Sequence, residues 1–275
     1  MGFLIVIILG IVQGAAEFLP VSSSGHLVVF YNIFNITQNT IMLSIILHVA
    51  TLLSVIVVYH KSVLQLIKNP FCKTNKLLLV ATAPTVIIVL MFRHFIERSF
   101  SGNIIIVCFL VTAALLALAE YIASKKHKEK NKVVNLEESD VKNYDISYKQ
   151  ALLIGSFQGI ATVPGISRSG ATISAGLISG VNKSQAANFS FLLSIPIILA
   201  SLLYEVVKLT RDNGVVFSFT TGQLIVGFLV SFVVGVLALK VMIRFVKRQK
   251  LWIFSIYLVL LVVFLLLNQY VVHIF

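Results

Sequence analysis

Apolar residues dominate the chain in runs long enough to cross a lipid bilayer, interrupted by short basic loops. Six runs read as full transmembrane helices, at about 41–60, 77–94, 103–123, 184–207, 220–243 and 251–273. Two further stretches, about 2–33 and 148–180, have a different pattern. Each starts with a short apolar run, meets a Pro/Ser/Gly cluster and resumes as a second short apolar run. A helix of about twelve residues rises only about 18 Å, against a hydrocarbon core of roughly 30 Å. Such pieces enter a membrane and turn back, and non-helical backbone at that depth is tolerated only inside protein or a wet cavity. They are predicted to be re-entrant helical hairpins.

The two hairpins resemble each other. Gly10-Ile11-Val12-Gln13-Gly14 aligns with Gly155-Ser156-Phe157-Gln158-Gly159, Pro20 with Pro164, and, after a one-residue slip, Ser24-Gly25 with Ser169-Gly170. Three spans follow each hairpin. The predicted fold is therefore an all-α integral membrane protein made of two repeats, residues 1–123 and 148–275. A charged, mobile cytoplasmic linker at 124–147 joins them. Three crossings is an odd number, so the second repeat is expected upside down relative to the first, a plan that brings ligands to the midplane.

Composition agrees with this reading: of the 275 residues 58% are hydrophobic and only 12% charged, with a mean hydropathy of +0.99. The net charge of +12 does not point to nucleic acid, because the loops at 61–76, 124–150 and 240–250 carry 16 of the 22 Lys and Arg residues. By the positive-inside rule those loops are cytoplasmic, both termini lie outside, and the first hairpin opens to the outer face. The two cysteines, Cys72 and Cys108, show neither metal nor disulfide spacing. The N-terminal apolar run has no basic leader and no small-residue cleavage site, so no cleavable signal peptide is expected.

Within the hairpins two charges stand out. Glu17 follows the first apolar run and Arg168 lies in the second break; an ionisable group at bilayer depth is by default a functional residue, though a structural pair pinning the hairpins together would also explain them. Gln13 and Glu17 are four apart and share a helix face. Ser22-Ser23-Ser24-Gly25-His26 follows Pro20. If a helix restarts there, its free N–H groups form an anion site. The spacing permits a hydroxyl–imidazole relay between Ser23 or Ser22 and His26, and equally permits serines that only cap the helix beside a hydrogen-bonding histidine. The second hairpin offers Ser167, Arg168, Ser169, Gly170 and Thr172 at another restart, with a guanidinium fork suited to two phosphate oxygens. Glu17 would repel such an anion unless it held a cation or were protonated, so a divalent metal on Glu17, with Gln13 the candidate further ligand, is expected, and metal-free base catalysis by Glu17 is the alternative. His48, mid-helix, reads as an interhelical hydrogen-bonding group. Asn188, Ser190 and Ser194 could line the cavity or serve as packing contacts.

The segments Gln13-Gly14-Ala15-Ala16-Glu17-Phe18-Leu19-Pro20-Val21-Ser22-Ser23-Ser24-Gly25-His26 and Pro164-Gly165-Ile166-Ser167-Arg168-Ser169-Gly170-Ala171-Thr172 resemble the two signature segments of the undecaprenyl-diphosphate phosphatase family, the bacitracin-resistance type. The resemblance covers the whole chain. It implies hydrolysis of undecaprenyl diphosphate, a polyprenyl diphosphate lipid, to its monophosphate at the outer face of the bacterial plasma membrane. That reaction recycles the cell-wall lipid carrier. It assigns catalytic roles to Glu17, Ser23, His26 and Arg168, with Ser22, Ser24, Gly25, Ser167, Ser169, Gly170 and Thr172 around the phosphates. It further implies a need for Mg²⁺ or Ca²⁺ and a homodimer. The competing class is an inverted-repeat transporter or flippase of an anionic lipid, since broken helices suit that task too. Another integral phosphatase family pairs Ser-Gly-His with Ser-Arg but needs a later histidine, and after Arg168 only His273 remains.

Overall fold

In a computed structural model, residues 2–36, 40–99, 104–127, 141, 144–211, 219–248 and 250–269 are described. Five of the expected spans are long apolar helices: α3 (Ile41–Val58), α5 (Lys73–Met91), α7 (Ile104–His127), α10 (Lys183–Arg211) and α11 (Thr221–Lys247). The sixth is α12 (Trp252–Leu267), of 16 residues; the end of that predicted span lies outside the described residues. Both expected hairpins are pairs of short helices, α1 (Phe3–Ala16) with α2 (Ser23–Ile33), and α8 (Tyr148–Ile160) with α9 (Arg168–Ile178). The chain is thus a multi-pass helical membrane protein. Leu229, Val233 and Leu237 of α11 and Leu260 and Val263 of α12 lie on the outside, as an apolar solvent allows.

Two segments differ from expectation. The basic stretch after α3 is not all loop: it contains α4 (His60–Lys68), whose Leu66 is buried while Leu64 and Ile67 are exposed. A short α6 (Arg93–Arg98) follows α5. The described end of the linker is packed, not loose. Tyr144 and Ile146 are each 1% exposed, the Tyr144 N–H donates to Thr74 Oγ1 at 3.4 Å, and its ring meets Phe189 edge-on. Residues 128–140 of that linker lie outside the described residues.

Short polar side chains cap two of the helices that begin in loops. Ser147 with Gln150 and Thr220 with Gln223 form capping boxes at α8 and α11. Packing places each hairpin against the other half of the chain. α1 lies on α11 and α8 lies on α5. Glycine makes this approach possible: a Cβ at Gly14 would stand 2.6 Å from the Ser231 carbonyl oxygen, and one at Gly155 would overlap the Ala81 carbonyl. α7 packs on both α9 and α12, and α3 on α10 and α11. The breaks of the two hairpins consequently meet in the middle of the bundle.

Candidate functional site

The first break begins where α1 runs out at Ala16 and ends where α2 restarts. Ser22 is the N-cap of α2; its backbone lies at φ 71°, and its Oγ accepts from the Gly25 N–H at 3.3 Å. A serine at positive φ is strained. Two hydrogen bonds hold its carbonyl: the His26 N–H donates to it at 3.1 Å and His26 Nδ1–H at 2.8 Å. Ser167 plays the same part at α9, accepting from the Gly170 N–H at 3.1 Å, while its own N–H donates to Thr112 Oγ1 of α7 at 3.1 Å. The residues after these caps, Ser23 and Arg168, each open a helix. Matching caps make them equivalent positions of the two hairpins.

Both reach the same carboxylate. Ser23 Oγ donates to Glu17 Oε2 at 2.6 Å, and Gln13 Nε2 donates to the same oxygen at 3.1 Å. Arg168 Nη2 forms an ion pair with Glu17 Oε1 across 151 residues of sequence. Arg168 Nη1 donates to the Ser194 carbonyl at 3.4 Å, and Ser169 Oγ to the Leu19 carbonyl at 3.2 Å, so the second break is tied to the first. The Glu17 and Arg168 side chains are 5% and 18% exposed. They face a cavity of about 170 Å³ walled also by Ser22, Ser23, Ser24, His48, Thr162, Ser167 and Ser201.

Of the predicted phosphate-binding residues, Ser22, Ser24 and Ser167 line this cavity with the catalytic candidates Glu17, Ser23 and Arg168. Others do not. Thr172 is 1% exposed and donates to the Arg168 carbonyl at 2.8 Å, next to Ser190; a threonine inside a helix satisfies its hydroxyl one turn back. The N–H groups of Gly25 and Gly170 are taken by the caps. Among the described residues no hydrogen bond engages the N–H groups of Ser23, Ser24, Arg168 and Ser169. Those four are the donors left for an anion. Ser169 lines a recess of about 10 Å³ behind Arg168, with Glu17, Ser190 and Ser194. Of the three α10 residues singled out from the sequence, then, Ser190 and Ser194 line this recess, whereas Asn188 accepts from Tyr59 Oη at 2.9 Å.

The Ser23–His26 relay is not formed. His26 does not line the cavity. Its Nε2 lies 2.7 Å from Tyr257 Oη, its ring stacks on Tyr257 at 11° and meets Phe109 edge-on at 5.4 Å. Because Nδ1 donates to a carbonyl, Nε2 of the neutral ring accepts from the tyrosine hydroxyl. Spacing alone aligned Ser23 with His26; the aromatic wall of α7 and α12 turned the ring away.

Sequence reasoning passed over several residues that matter here. Thr162 was accessible through the repeat, since aligning Gln13 with Gln158 sets Thr162 opposite Glu17. Thr112, Ser201 and Tyr257 carried no signal among ordinary residues of apolar helices. Gln13 is fully buried and its Oε1 has no hydrogen-bond partner among the described residues, so it supports Glu17 from behind and does not line the cavity. Among the described residues no three His, Cys, Asp or Glu side chains converge. With one carboxylate and several hydroxyls, the cavity fits a hard divalent cation shared with phosphate oxygens, the usual arrangement for Mg²⁺, and not an all-protein cage.

Two half-helices open beside one carboxylate and one guanidinium inside a multi-pass helical bundle, an arrangement whose unengaged N–H groups suit an anion such as a phosphate group. The model of the family described as bacitracin resistance protein BacA matches residues 6–264. The chain belongs to that family. It is 38% identical over 264 residues to the undecaprenyl-diphosphatase of Carboxydothermus hydrogenoformans, covering 96% of both chains. It is 41% identical to the undecaprenyl-diphosphatase of Alkaliphilus metalliredigens, covering 91% of this chain and 93% of that one. To the undecaprenyl-diphosphatase of Bacteroides thetaiotaomicron it is 39% identical, covering 94% and 95%.

Proposed function

We propose that the chain hydrolyses undecaprenyl diphosphate to undecaprenyl phosphate and inorganic phosphate, at the outer face of the bacterial plasma membrane. The observation that carries this reading is the convergence of Ser23 and Arg168 on Glu17 within one cavity, with Gln13 bracing the carboxylate from behind, in a chain whose nearly full-length relatives bear that activity in their names.

The terminal phosphate sits at the four free N–H groups of α2 and α9, and Arg168 turns its fork from Glu17 to two phosphate oxygens. Ser23 Oγ, already 2.6 Å from Glu17 Oε2, forms the new bond to the terminal phosphorus as its proton passes to Glu17. The bridging P–O bond breaks and its electron pair leaves on undecaprenyl phosphate. A water then replaces Ser23 on phosphorus; one of its protons restores the serine hydroxyl, the other stays on the inorganic phosphate, and Glu17 releases its proton to solvent as the carboxylate is restored. Arg168 and the two helix ends stabilise the charge on the transferring group. Bound Mg²⁺ or Ca²⁺ would neutralise further phosphate charge, with Glu17 Oε1 as the carboxylate oxygen available to it. The isoprenoid tail stays in lipid beside the exposed apolar faces of the bundle. The location of the basic loops supports an outer-face opening with both termini outside.

The test is phosphate release from undecaprenyl diphosphate by the purified protein in detergent, with a search for phosphoserine at Ser23 in acid-quenched samples. Turnover with a trapped phosphoserine is expected. Liposome flux of an anionic lipid without phosphate release would replace the hydrolase reading with transport.

A further inference from the structure

The imidazole that reaches the cavity is not the one in the signature segment. His48 of α3 shares the cavity wall with Glu17, Ser23 and Arg168, whereas His26 has both ring nitrogens engaged elsewhere. His48 Nδ1 lies 2.9 Å from the Ser44 carbonyl oxygen one turn back. A carbonyl can only accept, so Nδ1 carries a proton and donates it there. That bond sets the ring orientation: Nε2, on the opposite edge, is turned from its own backbone, and no hydrogen bond engages it among the described residues. A second brace comes from Ser44 Oγ, 3.3 Å from His48 Nδ1 and donating to Glu205 Oε1 of α10 at 3.3 Å. An imidazole fixed at one nitrogen and open at the other is oriented for a ligand.

We propose that His48 is a further catalytic residue, whose Nε2 hydrogen-bonds an oxygen of the substrate's terminal phosphate. This rests on the hydrolase reading above. Among the described residues that line the cavity Arg168 is the one guanidinium and His48 the one imidazole, and a terminal phosphate presents more oxygens than one guanidinium fork can serve. The hydrogen bond forms with its proton on either partner, because phosphate and imidazole can each donate or accept. His26 then has a separate duty: its Nδ1 holds the strained Ser22 cap while Tyr257 fixes the ring.

Two measurements on the full chain test the assignment. The first compares phosphate release by wild type, His48→Ala, His48→Gln and, as a control outside the site, His60→Gln. A hydrogen bond to a charged group corresponds to roughly a 10- to 100-fold effect, so His48→Ala should lose that much in kcat/KM. His48→Gln, which keeps a polar atom near Nε2, should regain part of it, and His60→Gln should match wild type. The second uses unsubstituted protein, so it is independent of how a variant folds: diethyl pyrocarbonate labelling read residue by residue, with and without inorganic pyrophosphate at concentrations that inhibit release. Pyrophosphate should slow labelling of His48 and leave His60 unchanged. Kinetics of His48→Ala within twofold of wild type, or a His48 labelling rate indifferent to pyrophosphate, would overturn the proposal while the hydrolase reading stood. Absence of phosphate release from wild type would instead remove the hydrolase reading.

Discussion

Replacing Arg168 by alanine should destabilise the protein as well as inactivate it, and removing the Glu17 charge should restore much of the stability but none of the activity. The Glu17 side chain is 5% exposed, and its cationic partner is Arg168. In the Arg168→Ala protein the carboxylate keeps only the Ser23 hydroxyl and the Gln13 amide, two neutral donors. Stranding one member of a buried pair costs about 3–5 kcal/mol. Arg168 is itself 18% exposed and the cavity admits water, so the lower end, about 3 kcal/mol, applies here. At roughly 2–4 °C per kcal/mol for a chain of this size class, thermal unfolding should move down by on the order of 6–12 °C. Glu17→Gln in the same background removes the unpaired charge at nearly constant volume, and should return at least about half of that shift. The assay is a double-mutant cycle of thermal unfolding in detergent, followed through the single tryptophan, Trp252, with phosphate release measured on each protein. Two additive single effects would mean that the side chains do not share a desolvated pair, and the electrostatic reasoning would fail. A fully stable Arg168→Ala protein would refute it equally.

Three further outcomes follow from particular contacts. Ser23→Ala removes the hydroxyl 2.6 Å from Glu17 and should lower kcat by at least about 10²-fold with little change in KM, checked by steady-state phosphate release. Gly14→Ala puts a Cβ 2.6 Å from the Ser231 carbonyl oxygen and 3.0 Å from the Gly235 nitrogen; backbone cannot swing aside, so overpacking of about 1–3 kcal/mol should outweigh the alanine helix preference and lower the melting temperature, whereas Gly222→Ala, with its nearest neighbour at 3.6 Å, should not. Chelation with EDTA should stop turnover, and added Mg²⁺ or Ca²⁺ should restore it, because Glu17 is the one carboxylate among the described residues on the cavity wall.

The hairpins were legible because their signals are local. A Gly-x-x-Gln-Gly pattern, a proline and a Ser-x-x-Gly cap occur twice in order, and each dictates backbone behaviour within a few residues. The Glu17–Arg168 pairing was legible for a different reason: two charges too costly to leave alone in an apolar bundle have to find each other. What escaped was decided by distant partners. Helix spacing put Ser23 and His26 on one face, but the ring follows Tyr257, 231 residues further along. His48 read as an interhelical hydrogen-bonding group because its helix is apolar on nearly every side, and only the cavity it shares with both hairpin breaks sets it beside Glu17 and Arg168. The amphipathic α4 and the buried Tyr144 were hidden inside segments whose lysines suggested loop and linker.

The exchanged packing explains why a carboxylate from one hairpin and a guanidinium from the other can be held in register. A short hairpin has too little surface to fix itself in a bilayer. Here α1 is seated on α11 by Gly10 and Gly14, and α8 on α5 by Gly155 and Gly159. Each hairpin therefore takes its position from a long helix of the opposite half. An error in docking either one displaces Glu17 relative to Arg168, and a displacement of about 1 Å at reacting groups can lower a rate about 10²-fold. Neither half contains both a hairpin and the groove that receives it. The candidate site is thus a property of the interface between halves, and the close glycine contacts that seat the hairpins are as necessary to the proposed chemistry as Ser23 and Arg168.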